Sequence, residues 1–269
     1  MIRDITIGQY YPVESLLHRL DPRVKLIGTL LFIISLFTFK SFSGYLVALA
    51  FLAVIIKLSR VPFRYIVKGL KGLVVIMLFA VLFNVFFATG EHVIYEYGII
   101  TITAEGLRNA GFLAIRLVLL IIGSSLMTFT TTPTQLTDGI ETLLNPLNKI
   151  KVPVHEIAMM MSIALRFIPI LMEELDKIMK AQTARGADFE SGKLQERIKA
   201  LVPILVPLFI SAFRRANDLA MAMEARCYRG GAGRTKMKPL KYKQADFYAY
   251  CSMFIYLMLI LLIGRLIYF

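Results

Sequence analysis

Five stretches of this chain, residues 24–39, 45–56, 72–88, 107–129 and 247–266, are apolar and nearly free of charge. A helix on a soluble domain keeps one polar face, so a run that is apolar all round is either deeply buried or crosses a bilayer. The bilayer accounts for these: its hydrocarbon core, roughly 30 Å thick, takes about 20 apolar residues per helix. The first two stretches are short for that. They read as a tight pair of spanning helices joined at Lys40-Ser41-Phe42-Ser43-Gly44, with Phe42 and Tyr45 reaching into the interface. Composition agrees, since 57% of the 269 residues are hydrophobic, against roughly 45–50% in a soluble domain. Such a chain is too apolar to be disordered, and its 2 cysteines build neither a disulfide scaffold nor a zinc site.

Charge sets the orientation. The chain holds 31 Lys and Arg against 18 Asp and Glu, a net charge of +13. A balance this basic fits either nucleic acid or a membrane protein with basic cytoplasmic loops, and the location of the charges decides. Five spans put three segments on one side: the N-terminus, the segment 57–71 and the region 132–245. The middle one carries Lys57, Arg60, Arg64, Lys68 and Lys71 and no acid. The other side receives Lys40, the acidic 91–105 loop and the C-terminal tip. The positive-inside rule then places the N-terminus in the cytoplasm and the C-terminus outside, with no nucleic acid needed as a partner. The first 23 residues do not read as a secretory signal, because the apolar run after them has no small-residue cleavage site. Residues 93–95 and 98–103 alternate as a small hairpin would. Arg116, inside the fourth span, is expected to face protein or water.

The expected architecture is an all-α membrane protein of about five transmembrane helices. Four lie in residues 1–131 and one in 246–269, with membrane lipid around them. Between them, residues 132–245 form a cytoplasmic domain of two long bent amphipathic helices and a shorter one. The shorter helix starts at Thr132-Pro133-Thr134, with Pro where a helix tolerates it. The first long helix, about 154–185, carries Ile157, Met161, Ala164, Ile168, Leu171, Leu175 and Ile178. These recur at alternating intervals of four and three, as one helical stripe. The second, about 194–226, carries Ile198, Leu201, Leu205, Phe209, Ala212, Ala216, Leu219 and Met223. Pro169 in the first, and Pro203 and Pro207 in the second, are expected to bend them. The apolar first half of the 154–185 helix suits partial burial at the membrane surface, while the charges toward each C-terminus oppose spanning.

Both long helices end alike. Ala184-Arg185-Gly186 closes the first and Ala225-Arg226-Cys227 the second, with Gly230 and Gly231 just beyond. A lone Arg at a helix C-terminus answers the helix dipole. Two of them at matched ends suit insertion into a groove on a partner, where each guanidinium pairs with a carboxylate. Other residues join these tips: Leu20-Asp21-Pro22-Arg23-Val24-Lys25-Leu26, Leu165-Arg166-Phe167-Ile168-Pro169, Ala181-Gln182-Thr183 with Ala187-Asp188-Phe189, and Ala222-Met223-Glu224. On these residues the chain resembles, over essentially its whole length, the transmembrane T component of energy-coupling factor (ECF) transporters.

That resemblance implies a scaffold in a prokaryotic cell membrane. It would hold two ABC-type ATPase subunits and a small membrane S component that captures a vitamin or a metal ion. It implies that Ala184, Arg185 and Gly186 dock one ATPase, and Ala225 and Arg226 the other. It implies that the long helices cross and form a coupling domain whose apolar surface packs on the S component. Met160, Met161, Leu165, Ile168 and Met172 are the candidates for that surface, since Met adapts to different partners. No catalytic residue, metal or cofactor is implied for this chain; ATP and magnesium would sit on the ATPases. Cys227 stands where the family often has Gly, so the second helix is expected to end one to three residues later, near Gly230.

Other functions lack their residues. There is no G-x-x-x-x-G-K-[ST] phosphate loop, and the 230–235 tract has Arg where that loop has Lys, so it reads as a basic connecting loop. His18, His92 and His155 lack metal-ligand spacing. A self-sufficient secondary transporter needs carboxylates at depth or repeated halves. An intramembrane enzyme needs a Ser/Lys, Asp/Asp or His-rich site within spans, and the spans offer none of these. A non-transporting membrane anchor for a cytoplasmic complex differs from the scaffold only in whether transport follows. Arg166 is expected to be an internal tether, to Glu173 or to a neighbouring segment.

Overall fold

The structure, a computed structural model, describes residues 10–38, 41–87, 92–97, 100–187, 194–231, 235, 237 and 239–266. Its elements in chain order begin with helices α1 (Pro22–Thr38), α2 (Phe42–Ser59), α3 (Phe63–Lys71) and α4 (Val74–Phe87). The hairpin β1 (Val93–Tyr97) and β2 (Ile100–Thr103) follows, then α5 (Ala104–Thr130), α6 (Pro133–Leu144) and a 3₁₀ turn, Asn145–Ile150. Helices α7 (Val154–Ala184), α8 (Leu194–Ala225) and α9 (Gln244–Leu266) complete it. The fold is all-α, with one antiparallel hairpin where the sequence alternates. The chain forms two compact units, residues 1–143 with 240–269, and residues 144–239. Helix α6, grouped by the sequence with the long helices, belongs to the first unit.

In the first unit α1, α2, α5 and α9 enclose one apolar cluster. Phe32, Leu36, Tyr45, Ala48, Leu52, Leu119, Tyr256 and Ile260 are all buried there. Its polar atoms are paired, as burial requires: the Ser35 and Tyr256 hydroxyls lie 2.8 Å apart. Arg116 does face protein. Its Nε donates to the Tyr45 hydroxyl at 3.1 Å, and the guanidinium lies 5.3 Å from the centre of the Phe37 ring. The residues that face away from this cluster, such as Leu30, Ile34, Leu46, Val75 and Phe254, are large, apolar and exposed, as a lipid-facing surface must be.

The spans differ in detail from the expected five. Helix α2 runs a full 18 residues, from Phe42 to Ser59, past both ends of the expected span. Among the described residues, four helices are long and apolar enough to cross a membrane: α2, α5, α9 and also α7. Helix α7 qualifies because Glu156 and Arg166 are its only Asp, Glu, Lys or Arg residues before Glu173. Helices α1, of 17 residues, and α4, of 14, are shorter. At 1.5 Å per residue they span about 25 Å and about 21 Å, less than a straight crossing needs.

In the second unit α7 and α8 lie antiparallel. Gln182 of α7 meets Pro203 of α8, and further along Glu174 meets Arg215 at 3.0 Å. Past the end of α8, Gly231 packs so closely on the His155 ring, near the start of α7, that a Cβ there would overlap it. The covered side of α8 carries Ile204, Leu208, Ser211, Arg215 and Leu219. The stripe expected from the sequence is offset from this: Leu201, Leu205 and Phe209 are exposed, Phe209 at 66%.

Candidate functional site

The two arginine tips share one backbone geometry. At the end of α7, the Arg185 and Ala187 amides donate to the Gln182 carbonyl at 3.1 and 3.0 Å, and the Gly186 amide to Thr183 at 2.9 Å. At the end of α8, the Arg226 and Tyr228 amides both donate to the Met223 carbonyl at 3.1 Å, and the Cys227 amide to Glu224 at 2.8 Å. Each is a C-terminal cap closed by a left-handed residue, and each satisfies carbonyls that a helix end leaves over. Gly186 supplies the first left-handed residue at φ 85° and Cys227 the second at φ 55°. The expectation of a longer second helix is therefore corrected. Helix α8 stops at Ala225, because Cys227 itself adopts the backbone that Gly would take.

A side chain in that region costs about 1–2 kcal/mol. Replacing Cys227 with Val, which is branched at Cβ, is expected to lower the stability of the α7–α8 unit by a further 1 kcal/mol or so. Cys227→Gly is expected to preserve the cap. Thermal unfolding followed by circular dichroism compares the two.

Antiparallel packing puts the tips at opposite ends of the pair. From the Gln182–Pro203 and Glu174–Arg215 contacts, Arg226 lies level with the early part of α7, on the order of 35 Å from Arg185. Both arginines are exposed, and among the described residues neither has an ion-pair partner. Asp188 and Phe189, beyond the first tip, lie outside the described residues, as do residues 232–234 of the 230–235 tract.

One of the three helix prolines bears on the first tip. Pro169 lies inside α7, and Pro203 and Pro207 inside α8. A proline has no N–H, so the carbonyl four residues earlier loses its helical donor. Pro207 thereby frees the Pro203 carbonyl, and the Gln182 side-chain amide donates to it at 3.3 Å. Gln182 is also the residue whose carbonyl closes the Arg185 cap. The carbonyl that Pro207 frees in α8 and the tip of α7 thus share one side chain. Arg166 is exposed, and Glu174, not Glu173, holds an arginine, Arg215; the expected Arg166–Glu173 tether does not form.

Of the surface residues proposed from the sequence, Met160 and Met161 are exposed, while Leu165, Ile168 and Met172 are half-buried. The larger uncovered apolar face lies on α8, where Leu201, Leu205, Phe209 and Phe213 recur every four residues. Helical spacing announced this face. Only packing could tell that it points away from α7.

A second polar centre, in the first unit, gives the Leu20-to-Leu26 segment its structural role. Asp21 caps α1: its Oδ1 accepts from the Arg23 amide at 2.9 Å, with Pro22 in the first turn. The Arg23 guanidinium donates to both Asp21 oxygens, at 3.0 and 2.9 Å, and lies 4.0 Å from the centre of the Tyr242 ring. Asp246 caps α9 through the Lys243 amide at 2.7 Å and accepts from the Asp21 amide at 2.8 Å. One buried carboxylate therefore joins the starts of α1 and α9. The Lys25 ammonium donates to the Thr130 carbonyl at 2.8 Å, at the negative end of α5. Three helix ends are fastened together.

This centre is sensitive to acid. Burial pushes the Asp21 carboxyl up, but the Arg23 hydrogen bonds and charge outweigh it, and the net shift is below the ordinary 3.8. Burial lowers His18 from its ordinary 6.5; its ring bridges the Ser15 hydroxyl and the Tyr11 carbonyl. Both groups prefer their deprotonated form in the fold. Their contributions are complete above 6.5 and 3.8 respectively, and are lost as pH falls through the lower folded values. Melting temperature in detergent is expected to decline in two stages, below about pH 6.5 and below about pH 4, the first absent in His18→Gln.

Residues 13–237 match the family CbiQ, described as "Cobalt transport protein". The energy-coupling factor transporter transmembrane protein EcfT of Clostridium kluyveri is 58% identical over 93% of this chain and 93% of its own length. The protein of that name from Ruminiclostridium cellulolyticum is 56% identical, over 91% of this chain and 92% of its own. The one from Bacillus subtilis is 50% identical, over 91% and 93%. With its helical membrane architecture and capped arginine tips, the chain belongs to the EcfT family of energy-coupling factor transporter transmembrane components.

Proposed function

We propose that this chain is the coupling scaffold of an importer, and that each arginine tip docks one of two ABC-type ATPases. The observation that carries this reading is the pair of matched caps at opposite ends of one helix pair. Two tips on the order of 35 Å apart reach two partners at once. Each guanidinium, held off a rigid cap, forms a bidentate pair with a carboxylate in the partner's groove. ATP and magnesium sit on the ATPases, and this chain performs no bond chemistry. ATP-driven closure moves the tips. The Gln182–Pro203 and Glu174–Arg215 contacts carry that motion along α7 and α8. It reaches the apolar face of Met160, Met161 and the Leu201–Phe213 side of α8, against which a small substrate-binding S component packs. The S component selects the cargo, a vitamin or a metal ion.

Purification from native membranes with mass spectrometry of the co-purifying chains tests this. Two ATPases with one or more small hydrophobic proteins are expected. The chain recovered alone, with transport intact after reconstitution, would point to a secondary transporter instead.

The reading includes an orientation, with the N-terminus and the tips cytoplasmic and the C-terminus outside. Cys227 is exposed beside the second tip. A membrane-impermeant maleimide is expected to label it in inside-out vesicles and not in intact cells. Labelling in intact cells would reverse the topology.

A further inference from the structure

Between α2 and α4 the chain makes a short helix whose two faces have different chemistry. Helix α2 stops at Ser59, where Arg60 takes a left-handed backbone, φ 55° and ψ 16°, as its C-cap. The Ser59 hydroxyl accepts from the Val61 amide at 3.2 Å, and Pro62 opens α3. The inner side of α3 is pinned. Ile66 is 0% exposed, in a cluster with Val61, Leu126 and Phe129. The outer side carries the exposed Phe63 and Arg64, with Arg60 just before it, while the Tyr65 ring leans on that of Tyr11, 4.9 Å between centres, and keeps one edge exposed. No Asp or Glu occurs anywhere from residue 22 to residue 90. Among the described residues, Lys57, Arg60 and Arg64 have no ion-pair partner. Exposed cations with no counter-ion of their own, set beside aromatic rings at the end of a spanning helix, lie where lipid headgroups lie.

We propose that α3 and its Arg60 cap form an in-plane platform that binds anionic phospholipid headgroups at the membrane surface. The guanidinium groups of Arg60 and Arg64 each donate two parallel hydrogen bonds to phosphate oxygens. Phe63 sits among the glycerol and upper acyl carbons, with the exposed edge of Tyr65 beside it. Anchored by Ile66 on α5, the helix holds the bound lipid at a fixed place on the protein.

The full-length chain in bilayers of equal phosphatidylglycerol and phosphatidylcholine, released into native mass spectrometry, tests this. The wild-type chain is expected to retain phosphatidylglycerol in preference. Removing both guanidiniums in Arg60→Gln/Arg64→Gln should reduce that preference about 30-fold, near five-fold per charge. The conservative Arg64→Lys should keep most of it. A control that loses two charges in the other unit, Lys149→Gln/Lys151→Gln, should leave it unchanged. Circular dichroism melting in detergent confirms that each variant is folded. Equal preference in the wild type and the double variant, or equal loss in the control, would overturn the proposal. So would an unchanged lipid preference with weakened recovery of co-purifying proteins, which would make α3 a protein-docking surface.

Discussion

Arg185→Glu and Arg226→Glu are each expected to weaken ATPase binding by about 30-fold to several thousand-fold. Removing one member of a buried interfacial charge pair costs about 2–5 kcal/mol, and every 1.4 kcal/mol is a factor of ten. A glutamate adds repulsion against the partner carboxylate. The caps are held by backbone amides, so neither substitution should alter the tip's shape or the stability of the chain. Titration of purified ATPases onto the reconstituted variants, with melting temperature as the control, measures both. Conservative Arg→Lys should lose less than Glu and still fall short of the wild type, because an ammonium does not reproduce the bidentate fork.

The second large effect lies in the other unit. Asp246 is 2% exposed and accepts from two amides, one its own helix's and one from residue 21. Asp246→Ala leaves the buried Asp21 amide and the part-buried Lys243 amide without their acceptor and is expected to cost about 2–3 kcal/mol. Asp246→Asn keeps one acceptor oxygen and should cost about half that. Asp21→Ala should fall in the same range, since it uncaps α1 and leaves Arg23 unpaired. Because the three helix ends share these groups, the Asp21 and Asp246 losses are expected not to add. Denaturation in detergent of the two single variants and the double variant measures the coupling. Additive losses would separate the two caps.

The parts of this architecture that follow from local chemistry could be read from the residues. Continuous apolar runs predicted the five apolar helices, of which α2, α5 and α9 are long enough to cross a membrane; alternation predicted the hairpin, and paired Ala-Arg ends predicted two matched helix ends. Four features needed the fold. The Asp21–Asp246 junction joins residues 225 positions apart; the spacing of Lys243 and Asp246 suits a cap, but no local rule brings Asp21 to it. The offset of the α8 stripe depends on which side α7 covers, and periodicity gives a helix its faces without saying which one is buried. Cys227 in a left-handed cap contradicts residue preference, because the neighbouring amides and carbonyls close the same ring of bonds whichever residue stands there. The Gln182–Pro203 contact belongs with these, since the proline that frees the carbonyl and the amide that takes it lie on different helices.

Native mass spectrometry of the assembled complex carrying one altered tip at a time tests the two-tip scaffold most directly. Arg185→Glu should release one ATPase and keep the other, and Arg226→Glu should release the one that Arg185→Glu keeps. Complexes that retain both ATPases in each single variant, and in the two combined, would contradict it.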